Sequence, residues 1–175
     1  MGHTLRSDDR QSGPAWPADL ADPDSWQGGA VRFESDRRYR LPVPPGELWA
    51  ALTRVDDYRS WWPWLRGFDA KLLAGDEVWD CLVQPPLPYR VRFAVAFDEV
   101  QAPSIVRASI SGDVVGDARL EIIEHPEGSE ARLVSHLEPG NGFLRAVARI
   151  APPMVRYGHD WVLDTGARQF IHRAV

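Results

Sequence analysis

His159 interrupts an otherwise apolar helical stripe, in which Val155, His159, Val162, Gly166 and Phe170 recur at steps of three and four residues. An imidazole on such a face is expected to look into the interior, where it could donate, accept or exchange a proton near neutral pH. The competing reading is a core histidine hydrogen-bonded to a backbone carbonyl. Asp160 is rotated by about 100° from His159 and is expected to pair with Arg156 on the outer side. The second candidate is Tyr89, at the head of the alternation Tyr89, Val91, Phe93, Val95, Phe97. A phenol on that apolar face needs a partner and is a natural donor to a ligand carbonyl. In this register Arg90 and Arg92 face solvent. A slip of one residue would turn them inward as oxyanion stabilisers.

Around these two groups the sequence supplies apolar walls. Of its eight tryptophans, Trp61, Trp62 and Trp64 crowd together about Pro63. Trp62, Trp64 and Trp79 have broad faces suited to an aromatic or isoprenoid molecule, although core packing explains each of them equally well. Phe93, Val155 and Val162 complete the expected ligand contacts, together with Ser135, whose small side chain on an inner strand face leaves space.

Other chemistries lack their residues. No three of His, Asp or Glu share a metal-ligand spacing, and neither a phosphate-binding glycine loop nor a nucleophile elbow is present. No metal or cofactor is therefore expected. Cys81 is the sole cysteine, which excludes an intrachain disulfide and a cysteine-based zinc site, and its apolar neighbours from Val78 to Val83 suggest an inert thiol. His125 lies beside a proline turn and His136 in the outward register, so neither is favoured.

A net charge of −5 and scattered arginines argue against nucleic-acid binding. No run approaches the roughly 18 apolar residues of a membrane span. The first 30 residues carry Asp8, Asp9, Arg10, Asp19, Asp22 and Asp24 where a signal peptide would be apolar. Arg6 occupies the position that myristoylation reserves for Ser or Thr. A cytoplasmic protein without stable membrane insertion is expected. Nothing in the sequence sets an oligomeric state.

Residues 1–30, rich in Asp, Pro, Gly and Ser, read as a flexible arm with Trp16 and Trp26 as isolated apolar points. Residues 31–175 read as one domain. A strand is expected over 31–41, a helix from Pro45 to Arg54 with proline in its first turn, and a short helix from Asp57 to Trp62 capped by Asp56. Six strands follow, over 68–73, 77–83, 89–100, 105–111, 118–124 and 131–138. Turn residues such as Ala74-Gly75-Asp76 and Pro126-Glu127-Gly128 separate them. Links this short allow only an antiparallel meander. From 142 to 173 the period is helical, interrupted at Pro152-Pro153. The fold class is therefore α+β, with a curved antiparallel sheet of about seven strands, two short helices and a long C-terminal helix over the concave face.

The local residues agree with that order. Pro44-Pro45-Gly46-Glu47-Leu48-Trp49 followed by Tyr58-Arg59-Ser60-Trp61-Trp62-Pro63-Trp64, and later Tyr157-Gly158-His159-Asp160-Trp161-Val162-Leu163 with Gly166 and Gln169-Phe170, resemble the START-like (SRPBCC, helix-grip) superfamily over roughly 31–173. The second segment is similar to the Asn-His-Asp helix of its bacterial polyketide cyclase/dehydrase-like branch, with Gly158 where that helix often has Asn. The resemblance implies a small hydrophobic or aromatic ligand in an internal cavity. Cyclase or dehydratase chemistry through His159 and Tyr89 is one implication. The others are a non-catalytic lipid, quinone or isoprenoid carrier, and an interaction domain resembling chaperone activators.

Overall fold

The structure is a computed structural model and describes residues 32–175. The expected arm, with Trp16 and Trp26, lies outside the described residues. Seven strands make one antiparallel sheet: β1 (Phe33–Leu41), β2 (Leu65–Asp69), β3 (Val78–Val83), β4 (Val91–Gln101), β5 (Ile105–Gly112), β6 (Val114–His125) and β7 (Gly128–Pro139). From edge to edge the order is β1-β7-β6-β5-β4-β3-β2. Only the connection from β1 to β2, which lie at opposite edges, departs from simple neighbour pairing. Between β1 and β2 lie α1 (Pro45–Leu52), a single 3₁₀ turn (Val55–Asp57) and α2 (Tyr58–Trp61). The chain ends in α3 (Gly142–Ile150) and α4 (Pro152–Ala174).

Several element limits differ from expectation for identifiable reasons. β2 starts three residues earlier than its apolar pattern suggests, because Leu65 packs into the core ahead of a bulge between Leu65 and Gly67. The ladders of β6 and β7 extend beyond their apolar cores to a tight connection at Pro126-Glu127, where His125 pairs with Gly128. Backbone pairing carries these ends whatever their side chains do: Ile123 and Glu124 are exposed, whereas Ser129 and Glu130 are buried. Asp56 caps no helix: it falls inside the 3₁₀ turn, and α2 begins without a side-chain cap. The missed cap is Asn141, whose Oδ1 accepts from Leu144 N at 2.8 Å to start α3. The proline pair divides α3 from α4 as the missing amide requires.

The meander curls because its backbone is bent at glycines. Gly116 in β6 has φ +146°, and a Cβ there would lie 1.9 Å from the His136 carbonyl oxygen. Only glycine permits that approach. At one end of the concave face Tyr58, Trp61, Phe68, Trp79 and Phe97 pack ring against ring, with centroids 4.5 to 5.6 Å apart. α4 covers the remainder.

Candidate functional site

The inner faces of the strands form transverse rows through their register, and the size of each row decides where space survives. One row runs Ser35, Ser135, Ala118, Ala108 across β1, β7, β6 and β5. Four small side chains abreast cannot fill the gap beneath a helix, where packing is otherwise dense. Above the middle of this row, at Ser135 and Ala118, lies a cavity of about 220 Å³. Its floor includes Phe93, Ala118, Ser135 and Leu137, and its roof Val155, Gly158, His159 and Val162 of α4. Tyr89, Pro85 and Leu144 of α3 complete its walls.

Three polar side chains, those of Tyr89, Ser135 and His159, belong to these apolar walls. Ser135 Oγ is 2.9 Å from Ser35 Oγ and so already has a partner. The His159 Nε2 atom is buried and bonded to nothing, while Nδ1 lies 3.6 Å from Asp160 Oδ1. It is not tied to a backbone carbonyl. A buried nitrogen left without a protein partner costs about 1–3 kcal/mol unless a ligand or a water supplies the bond. Burial pushes the imidazole below its ordinary pKa of 6.5, and Arg37 and Arg156 push the same way; the Asp160 carboxylate opposes them. The ring is neutral at pH 7 and able to accept a proton.

His159 also borders a polar cleft of about 250 Å³ beside β1, formed with Ser35, Asp36, Arg37, Arg156 and Asp160. Here one expectation is corrected. Asp160 accepts from Arg37 Nη2 at 2.8 Å, and not from Arg156 on its own helix. The inward register of β1 brings Arg37 up to the overlying helix, a contact between distant segments that helical spacing does not reveal.

Tyr89 faces the cavity and Arg90 and Arg92 are exposed, as the unslipped register requires. It does not lie in a strand, because β4 begins at Val91. It sits in the loop after β3, which Gln84 holds: Nε2 donates to the carbonyls of Leu87 at 3.0 Å and Tyr89 at 3.1 Å, and Oε1 accepts from Arg90 Nε at 2.9 Å. Sequence reasoning passed over Gln84. Its signal was there, since Pro85, Pro86 and Pro88 bring carbonyls without amides and a side-chain amide must serve them. Burial raises the pKa of the Tyr89 phenol, which therefore remains a donor at neutral pH.

The tryptophans are distributed otherwise than expected. Trp62 and Trp64 wall a second space of about 260 Å³ farther along α4, together with Tyr39, Leu48, Ala131 and Phe170. Their indole N–H groups are committed, Trp62 to Gly166 O and Trp64 to Gln169 Oε1, each at 2.9 Å. Trp79 lines neither space. It shares an inner face with Val83, but four residues of strand separate them by about 13 Å. Its N–H donates to Leu72 O at 3.0 Å and its ring belongs to the aromatic core. His125 and His136 lie outside both spaces, His136 Nδ1 being 3.1 Å from Asp117 Oδ2.

No group of three or more potential metal ligands occurs among the described residues, and no helix among them is long and apolar enough to cross a membrane. Neither a family model nor a curated protein matches the chain. Solved structures do match. One such structure is that of Ara h 8.0201, 11% identical, with a TM-score of 0.62 over 82% of this chain and 98% of that one. The di-domain ARO/CYC BexL of the BE-7585A biosynthetic pathway is 11% identical, with a TM-score of 0.64 over 82% of this chain and 50% of that one. An uncharacterized protein from Rhizobium leguminosarum is 12% identical, with a TM-score of 0.59 over 82% and 97% of the respective chains. Seven antiparallel strands curled beneath a long C-terminal helix are what this chain has in common with them, and its fold is the START-like, or helix-grip, fold.

Proposed function

We propose that the cavity over Ser135 and Ala118 binds a small hydrophobic or aromatic molecule bearing a carbonyl, and that His159 and Tyr89 act on it in the manner of a polyketide cyclase/dehydratase. The observation that carries this reading is the unpartnered, buried Nε2 of His159 in the wall of an otherwise apolar cavity that also receives the Tyr89 phenol. The fold likeness to half of a di-domain ARO/CYC supports it.

In the proposed reaction the cavity folds a flexible polyketone so that a carbon between two carbonyls faces a third. Neutral His159 removes a proton from that carbon, and the Tyr89 phenol donates a hydrogen bond to the enolate oxygen. The enolate carbon attacks the third carbonyl, forming a carbon–carbon bond, and the resulting alkoxide takes back the proton held by His159. His159, neutral again, removes the second proton from the ring carbon and delivers it to the departing hydroxyl, breaking the carbon–oxygen bond. One water is lost and no redox partner is required. The polar cleft on the far side of His159 gives the imidazole a route to solvent for proton exchange.

A carrier without catalysis is the rival, and it favours a histidine tied to the backbone, which is not the arrangement here. Native mass spectrometry of the purified protein comes first, to identify a co-purifying small molecule. A synthetic aryl triketone then serves as substrate for the native protein and its His159→Gln and Tyr89→Phe variants. Turnover should fall about 10²- to 10⁴-fold in His159→Gln with the dissociation constant little changed. Turnover equal to the native rate would remove His159 from the chemistry, and binding without turnover in any form would favour the carrier.

A further inference from the structure

The two spaces beneath α4 are separated by side chains alone. Leu133, Val162 and Leu163 belong to the walls of both. The strand register explains the division. The small pair Ser135 and Ala118 is followed two residues along by Leu133 opposite Leu120, and after another two by Ala131 opposite Ile122. A leucine row thus stands as a ridge between two depressions, and α4 lowers Val162 and Leu163 onto it. On the sheet side the shared wall residue is Leu133, and a change of its rotamer is the movement that would join the chambers.

Each chamber alone, at about 220 and 260 Å³, falls below the roughly 300 Å³ at which pockets for drug-sized ligands begin. Joined end to end they exceed it. The second chamber has its own unanswered polar group: Tyr39, in its wall, has a buried hydroxyl without a partner. The Trp62 and Trp64 N–H groups, being already bonded, offer nothing to a polar guest.

We infer that the two chambers form one bipartite site for an elongated ligand, whose carbonyl-bearing end lies beside His159 and Tyr89 and whose apolar tail crosses the Leu133 ridge into the second chamber, with an oxygen acceptor on the tail for Tyr39. This rests on the proposed reading of the first cavity and adds to it the shape and length of the substrate.

The test uses phenyl alkyl ketones of increasing chain length, titrated into the full chain with displacement of 1-anilinonaphthalene-8-sulfonate as the readout. In the native protein affinity should rise about fourfold per methylene beyond the length that fills the first chamber. In Ala167→Trp, whose indole fills the second chamber, the rise should end at shorter chains while the shortest ketones bind as before. A rise that ends at the same length in both proteins overturns the inference. Leu133→Ala supplies an arm that does not depend on Ala167→Trp folding: lowering the ridge should tighten long ketones more than short ones, and an equal effect on both overturns it. A second carbonyl near the end of the longest tail should gain about fivefold, and Tyr39→Phe should abolish that gain; no gain in the native protein removes Tyr39 from the site. Failure of even the shortest ketones to bind would sink the first-cavity reading itself, which separates the two failures.

Discussion

Burial keeps the folded His159 from protonating at its ordinary pKa of 6.5, whereas the unfolded chain takes up that proton freely. The sign follows from linkage. Stability from this group is complete above pH 6.5 and is lost as the pH falls from there towards the lowered folded value. Urea denaturation at pH 7.5 and 5.5 should therefore show a larger acid loss in the native protein than in His159→Gln, and parallel losses would mean a hydrated imidazole. The same residue shows how far residue-level reading extends. The stripe of Val155, His159 and Val162 was legible because helical period alone brings them to one face. The partner of Asp160 was not, because Arg37 lies 123 residues away and arrives through the fold.

At the scale of elements, the site depends on how α4 is held to the strands and helices beneath it. Trp62 donates to Gly166 O, Trp64 to Gln169 Oε1, and Arg173 Nη1 to Ser60 O at 2.6 Å and Trp61 O at 2.9 Å. Gly166 leaves room for the Trp64 ring, since a Cβ there would already stand 3.3 Å from Trp64 Cζ2. Replacing Trp62 with Phe keeps most of the ring and loses one hydrogen bond, at a cost of about 1 kcal/mol. Replacing it with Ala also empties packed volume, at about 3–5 kcal/mol. Equilibrium urea denaturation of the two variants separates these contributions, and equal losses would mean that the ring itself contributes little. The Arg37 pairs with Asp160 and Asp164 join β1 to the same helix, but they are partly exposed and contribute about 1 kcal/mol or less. Elements and their order were readable from period and turn chemistry. Their limits were less so, because ladder hydrogen bonds continue through polar residues at the ends of β6 and β7.

Across the whole molecule, the aromatic core and the chambers occupy successive stretches of one concave face, and Cys81 reports on the sheet that carries them. Burial, aided by the Asp80 carboxylate, pushes its thiol up to about 12. The native protein should therefore resist a thiol reagent at pH 8 and react only through opening, at a rate that tracks global stability as urea is added. Rapid labelling without denaturant would show that β3 opens independently of the rest. By itself the sequence determined the class of fold, the seven strands, the break before the last helix and the inward face of His159. These follow from period and turn residues, which act over a few positions. The tertiary structure alone decided which inner residues stand abreast, because register sets Ser135 beside Ala118 and Leu133 beside Leu120. That lateral order places the empty volume, sends Trp62 and Trp64 to the second chamber and Trp79 to the core, and leaves a ridge between two chambers that no pattern along the chain encodes.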